Sequence, residues 1–572
     1  MKRDEIEKPN KIVDLFYPDE GARARMKKRR AALTALPQDY IKNLELEKTA
    51  DLITRQYQYK LLQMLEELCD EPEIIRYRQD ILKDFLDIPR LAVTIKKIVG
   101  IMVENDRGNI YGLSEPDSFS TLSDAIRAFN AYVECVEIMH KFYQDNSERI
   151  RSEGVRRLFD YFEDGYKDED YNKMKHNLEE LDKALKDRIR SVTVGINLDE
   201  NLVPVSAGVI EYSSKRFAAK PSLFDRILYR GAVPQDKVVE NLHKKYKNDD
   251  DLSADELLVN TVDETLFREL DSLTHKLVKR LAAVMAEYQR LGIRDIVSID
   301  YQLDFYIGAV SLVQAAEAKG LKMCCPEILP ARERRAEIKG LFDLIYYSEA
   351  AVYNLRVKDG QKKPVVVNDI TVGDGGENAG FYILTGANNG GKTTFVRALG
   401  ICQVLAQAGL FVPAEACRIS VCDFIYTHFP KEEEMGINAS RFTTEIKEFK
   451  TISDTVTNHS LLLMNESIQS TTPVECIEIA SKLVRLFCML GVRGVFATHL
   501  IDVAFKAVEL NDTEGLHTRI GSLTVAVDEK TGERKYKISH SMPSGNVYAG
   551  EIFEKFGIRE EDIAARAAKM EF

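Results

Sequence analysis

One stretch constrains the chain more than any other: Phe381-Tyr382-Ile383-Leu384-Thr385-Gly386-Ala387-Asn388-Asn389-Gly390-Gly391-Lys392-Thr393-Thr394-Phe395. An apolar, strand-like run enters Gly386-x-x-x-x-Gly391-Lys392-Thr393, and Phe395-Val396-Arg397-Ala398-Leu399 continues with helical character. Strand, glycine-rich turn and helix in that order are what a phosphate-binding P-loop requires. The glycines let backbone N–H groups turn inward around phosphate oxygens, and the helix N-terminus adds the positive end of its dipole. Lys392 would reach the β- and γ-phosphates, and the Thr393 hydroxyl would ligate Mg²⁺. A chance glycine-rich turn is the plainer alternative, and the strand and helix on either side argue against it.

At 572 residues the chain exceeds one ordinary hydrophobic core, and length alone suggests three or four domains. A 45% hydrophobic and 30% charged composition is that of a globular chain. No apolar run approaches the roughly 20 residues that span a bilayer, so no membrane association is expected. The charged start, Met1-Lys2-Arg3-Asp4-Glu5-Ile6-Glu7, lacks a signal-peptide core. Nine cysteines without a Cys-x-x-Cys pair argue for reduced thiols, hence a cytoplasmic location, and against a zinc site. A net charge of −12 excludes uniform coating of nucleic acid, so any DNA contact must come from local basic patches. Arg23, Arg25, Lys27, Lys28, Arg29 and Arg30 form one candidate. His243-Lys244-Lys245-Tyr246-Lys247 forms another, which Asp249-Asp250-Asp251 immediately offsets.

Taken in order, residues 1–40 are a basic entry segment. Helical periodicity then covers about Leu44 to Leu68, Ile75 to Val103, Ser120 to Tyr143 and Ser152 to Arg190. Alternating β-branched residues from Ser191 to Tyr212 predict a small β insertion, about 191–230. The leucine stripe Leu266, Leu270, Leu273, Leu277, Leu281 and Val284 fits a long lever or packing seam, and an ordinary helical core equally well. Asp300 to Ala318 gives one more helix. Pro326 and Pro330 mark a boundary. Beyond it Gly340–Tyr346 and Pro364–Ile370 predict strands that lead towards the P-loop.

Downstream, Leu461-Leu462-Leu463-Met464-Asn465-Glu466 reads as a buried parallel strand ending in polar residues, and Gly494-Val495-Phe496-Ala497-Thr498 as a second, ending at His499. Ligands of parallel sheets bind at the carboxyl ends of strands. Glu466 is thus placed to orient or deprotonate an attacking water, and His499 to sense a γ-phosphate. A histidine after a strand is more often structural, but the P-loop and the Glu-ended strand favour a functional one.

These segments, together with Ser440-x-Phe442-x-x-Glu445, Val367-Asn368-Asp369-Ile370 and Ala497-Thr498-His499-Leu500, resemble the ATPase domain of the MutS mismatch-repair family, a branch of the ABC-type ATPases. The resemblance is strongest from about Ile338 to Ala507. Ile75-Arg76-x-Arg78-Gln79 resembles the start of the family's lever helices, and Gly545-Asn546-Val547-Tyr548-Ala549 its C-terminal edge. It implies a multidomain α plus α/β chain: a helical core and lever over 41–325 with the β insertion, then an ABC-type P-loop ATPase domain over 326–572. It implies ATP and Mg²⁺ bound by Gly386, Asn388, Asn389, Gly390, Gly391, Lys392, Thr393 and Thr394, with Asn388 an additional phosphate contact. It also implies a homodimer in which Ser440 completes the partner's site, and levers that close on duplex DNA.

Two departures qualify that expectation. Asn465 stands where the family has aspartate before the catalytic glutamate, and a neutral amide holds hydrated Mg²⁺ less well. Gln469-Ser470-Thr471-Thr472-Pro473 replaces a glycine- and arginine-bearing loop. The expectation is a form of the family without the N-terminal mismatch reader and without an Smr nuclease domain. Expected, therefore, is a slow ATPase acting on branched or distorted DNA in mismatch repair or recombination control, with Lys392, Glu466 and His499 catalytic, Thr393 and Asn465 at the metal, and a repair or recombination protein as a further candidate partner. The rival expectation is an ATP-gated scaffold with negligible turnover that recruits partners. An ABC-type ATPase not working on DNA is a third.

Overall fold

The computed structural model describes residues 13–105, 119–186, 191–198, 200, 204–213, 299–358, 362–373, 375, 378–386, 390–430, 441–527 and 534–543. The chain forms two compact units, one of Met1–Ile12, Lys97–Asp145 and Phe159–Ser298, the other of Val13–Lys96, Asn146–Leu158 and Ile299–Phe572. These units do not follow the sequence boundaries at 40 and 325. Among the described residues no helix is long and apolar enough to cross a membrane.

The pattern from Ser152 to Arg190 resolves into two helices, Glu153–Lys167, whose residues from Phe159 on belong to the first unit, and Glu169–Lys186 within that unit. Asp168 makes the break, because its side chain accepts from the backbone N–H groups of Asp170 at 2.7 Å and Tyr171 at 3.3 Å. Helix Phe119–Asn146 lies beside them through His140, which stacks on Tyr166 with centroids 3.7 Å apart. The β insertion contains β1 (Ser191–Leu198) and β2 (Pro204–Ser213), an antiparallel pair. The leucine stripe at 266–284 and the basic run at 243–247 lie outside the described residues.

The second unit carries two sheets. Four strands, β3 (Glu327–Leu329), β4 (Ala336–Leu341), β5 (Asn368–Val372) and β7 (Ala416–Ser420), run in the order β3-β7-β4-β5. The larger sheet adds β6 (Phe381–Thr385), β8 (Ile425–His428), β9 (Leu461–Asn465), β10 (Arg493–Thr498), β11 (Ile520–Val527) and β12 (Arg534–His540), in the order β12-β11-β6-β10-β9-β8. All neighbours in it are parallel except the antiparallel edge strand β12. The strand expected at Gly340–Tyr346 is a correction: β4 ends at Leu341, and a helix occupies Leu344–Asn354. Asp343 starts that helix early by accepting from Ile345 N–H at 2.8 Å and Tyr346 N–H at 3.0 Å.

Helix Lys392–Ala408 is apolar on nearly all sides and almost wholly buried, as a helix with layers on every side must be. Residues such as Phe395, Leu399, Ile401 and Leu405 each contribute about 1.5–3 kcal/mol by burial. One layer is the sheet. The other is an N-terminal arm of short helices, Glu20–Leu33, Asp39–Asn43, Leu46–Ile53 and Gln58–Leu65, followed by Pro72–Asp87. The helix expected over Leu44–Leu68 is thus broken, with Glu45 left-handed (φ 52°) and Thr54 extended. Glu45 is drawn to Arg397 on the central helix, so a tertiary ion pair overrides local propensity. Gly400 is where the layers meet most closely: a Cβ there would lie 2.5 Å from Leu44 Cδ2 and 2.9 Å from Leu463 Cδ1.

Polar anchors fix the arm. Buried Gln407 donates at 3.0 Å to the carbonyls of Leu68, Cys69 and Cys422. Arg29 bonds the carbonyls of Glu67, Leu68 and Asp423 and pairs with Asp70. Arg25 pairs with Glu71 at 2.7 Å, Arg30 with Gln63 at 3.2 Å and Arg23 with Asp14 at 3.6 Å. The candidate DNA patch over residues 23–30 is therefore in part a set of structural staples, with Arg23, Arg25, Lys27 and Lys28 exposed. At the base of the arm Arg78 is fully buried. Its Nε donates to Phe16 O at 2.9 Å, and its Nη2 lies 3.3 Å from Glu67, which also accepts from the Tyr17 hydroxyl. Truncating one partner of a buried pair strands the other's charge. Arg78→Ala should cost about 3–5 kcal/mol in urea unfolding, and the double variant Arg78→Met/Glu67→Gln should recover most of that loss.

Candidate active site

Register builds the site. Thr498 of β10 pairs with Thr385 of β6, and Ala497 with Asn465 of β9, so three adjacent parallel strands end within one residue of one another. The residues just beyond are Gly386, Glu466 and His499. Gly391 occupies the left-handed region (φ 89°) and caps helix Lys392–Ala408, a turn that a side chain would strain. Lys392 is the first residue of that helix and is buried. Its Nζ donates to Gly386 O at 2.8 Å and lies 3.0 Å from Glu466 Oε1.

Glu466 is the hub. Its Oε2 is 2.7 Å from His499 Nδ1 and accepts from Gln469 Nε2 at 2.5 Å and from the His499 backbone N–H at 3.3 Å. Burial alone would raise its carboxyl, but the Lys392 ammonium and the hydrogen bond from His499 outweigh it and hold the group below its ordinary value. Its backbone is left-handed (φ 48°), as is that of Ile468 (φ 58°), with Glu466 N–H anchored on Ala497 O at 2.7 Å. Each such non-glycine residue costs about 1–3 kcal/mol, a strain that characteristically collects at functional sites. One level below, Thr393 Oγ1 donates to Asn465 Oδ1 at 3.1 Å. A hydroxyl and an amide carbonyl side by side are hard oxygen donors suited to Mg²⁺.

Lys392, Thr393, Thr394, Gly390 and Gly391 form one end of a cleft of about 940 Å³ that Glu466 and His499 also line. Tyr346, Val365, Tyr536, Lys362 and Lys363 line it as well, and Tyr536 lies against Gly391, 3.4 Å from where a Cβ there would sit. The structure thus gathers Gly386, Gly390, Gly391, Lys392, Thr393, Thr394, Asn465, Glu466 and His499 at one rim. Asn388, Asn389 and Ser440 lie outside the described residues. Gln469 was legible only as part of an altered loop, and its contact with Glu466 depends on the tight turn that returns its side chain to the rim. Tyr536 comes from an edge strand 144 residues beyond Lys392, and no local signal marks it.

Comparison with known proteins places this geometry. The MutS domain V family model matches residues 382–565, and the MutS2 N-terminal domain model matches residues 70–319. The DNA mismatch repair protein MutS of Myxococcus xanthus is 34% identical over 208 residues, 36% of this chain and 22% of that protein. The protein of the same name from Microcystis aeruginosa is 31% identical over 228 residues, 36% and 25% of the two chains. The DNA mismatch repair protein Msh6 of Gallus gallus is 36% identical over 139 residues, 23% of this chain and 10% of that protein. The chain thus spans about a quarter or less of the length of these relatives. With two models of one family matching its helical and its sheet regions, and the motif residues converging on one rim, the chain belongs to the MutS family.

Proposed function

We propose that this chain is an ATP-dependent DNA-binding protein whose sheet domain is an ABC-type ATPase and whose helical region, 41–325, acts as a lever. The observation that carries the reading is the convergence of Lys392, Glu466 and His499 at the carboxyl rim of a parallel sheet. Lys392 and the backbone of Gly390 and Gly391 hold the phosphates. Thr393 would ligate Mg²⁺, and Asn465 would help to hold it through its amide oxygen. The metal, when bound, neutralises charge on the phosphates. Glu466, kept ionised against its burial by the Lys392 ammonium and the hydrogen bond from His499, accepts the proton of the attacking water, and His499 senses the γ-phosphate. Two copies face each other with Ser440 completing the partner's site, and nucleotide state drives a clamp on branched or distorted duplex in mismatch repair or recombination control. Within the basic segment 23–30 Arg29 is engaged in the fold, while Arg23, Arg25, Lys27 and Lys28 stay exposed and are candidates for DNA contact.

A second reading is favoured by one observation. Thr393 faces a neutral amide where a carboxylate would hold the metal more firmly. On that reading the chain binds ATP, turns it over negligibly and recruits partners.

Single-turnover hydrolysis decides between them. Under the ATPase reading Glu466→Gln should lower the rate by about a hundredfold or more, and Asn465→Asp should raise it; equal inertness of native and Glu466→Gln chains that still bind ATP supports the scaffold. The depressed Glu466 carboxyl also fixes a pH dependence. The base-competent anion persists as pH falls through the ordinary carboxylate range, so the acid limb of the rate profile should lie below that range. In gel shifts, binding should be tighter to a four-way junction than to a single mismatch.

A further inference from the structure

Sequence motifs do not account for what holds Glu466 in its left-handed conformation. The next residue, Ser467, is 1% exposed and sits between the two strained positions, Glu466 and Ile468. Its hydroxyl donates to the backbone carbonyl of His428 at 3.1 Å, and its oxygen lies 2.8 Å from Nδ1 of the same histidine. A hydroxyl has one proton to give, so with that proton on the carbonyl the oxygen accepts from Nδ1–H. A buried hydroxyl without bonds would be costly; here both of its bonds go to one residue at the end of β8.

The imidazole of His428 is itself held by one helix. Its Nε2 is 3.1 Å from Glu448 Oε2, and the Phe449 ring stacks on it at 4.4 Å between centroids. Both belong to helix Arg441–Thr455. The same face of that helix carries Glu445, three residues before Glu448, and Glu445 Oε2 accepts from Ser470 Oγ at 3.0 Å. One hydrogen bond, Ser470 to Glu445, and one ring stack, Phe449 on His428, therefore run from one helix to the residues flanking Gln469 and Glu466. A cavity of about 130 Å³ borders the imidazole, lined also by Asn43, Thr427 and Thr451, and gives the ring and the helix room to shift.

We propose that His428 is a positioning residue for ATP hydrolysis: through Ser467 it fixes the angle of the Glu466 carboxylate, and with the Glu445–Ser470 bond it makes helix Arg441–Thr455 the element that sets that angle. The proposal rests on Glu466 being the general base. His428 does not line the cleft that Lys392 and Glu466 share; it acts on the backbone from which the base projects. A displacement of about 1 Å at a reacting group costs about a hundredfold in rate, so a small turn of the Ser467 peptide suffices to switch the site.

The test compares native, His428→Ala, Ser467→Ala and double-variant full-length chains by single-turnover ATP hydrolysis and by equilibrium ATP binding. Each single variant should lose about ten- to a hundredfold in turnover, the double variant no more than either, with ATP Kd changed by less than about twofold. His428→Asn, whose amide can donate in place of Nδ1–H, should recover most of the rate, which a merely structural role does not require. Should His428→Ala unfold, Ser467→Ala decides, since it removes one oxygen atom. Turnover in Ser467→Ala within about twofold of native overturns the proposal, as do losses that multiply in the double variant. A native rate indifferent to Glu466→Gln instead defeats the ATPase reading itself, and this inference with it.

Discussion

The ending of β6, β10 and β9 within one residue of one another is the constraint on which the rest of the site depends. Parallel strands in fixed register leave no freedom in where their next residues emerge, so Gly386, His499 and Glu466 share a rim whatever the loops do. A slip of one residue in β9 would send the Glu466 side chain to the opposite face and leave Lys392 buried without its carboxylate. The apolar runs Leu461–Met464 and Gly494–Ala497, buried on both faces, anchor the strands in the sheet, and their ladder pairing fixes the register. The polar chemistry at the rim is possible because the strands beneath it contain so little of their own.

Charge at the rim is balanced within the protein. Lys392 is nearly inaccessible, and an unpaired buried ammonium would be costly; Glu466 and the Gly386 carbonyl neutralise and solvate it. Glu466 in turn is bracketed by Lys392, His499 and Gln469. Asn465 adds no charge to the set, and among the described residues no group of three or more His, Cys, Asp and Glu side chains could hold a metal ion. A cation here would depend on neutral oxygens and on the phosphates it came with. Its residence is thereby tied to the nucleotide more closely than in a site with its own carboxylate.

Much of the larger sheet and its rim could be read from the sequence, since the P-loop and the two Glu- and His-ended strands announce themselves through local pattern. Long-range pairings could not. Glu45 breaks a helical run because Arg397, 352 residues away, draws it out, and Asp343 turns an apparent strand into a helix with two short bonds. The basic residues at 23–30 look like a patch in sequence, where their partners Glu71, Asp70 and Asp423 are invisible. His428 is the clearest omission. It ends an unremarkable strand, and its meaning lies entirely in Ser467 and Glu448, neither of which is near it in the chain.

The discontinuity of the second unit has a consequence for biosynthesis. Leu68 and Cys69 leave the ribosome early, but Gln407, which binds their carbonyls, lies 339 and 338 residues further on. At about 5–20 residues per second the arm waits of the order of 20–70 s for the helix it is to cover. Throughout that interval Leu15, Tyr40, Leu44, Leu61 and Ile75, all buried in the finished fold, have no core to enter. The nascent chain is therefore a natural client for a holding chaperone.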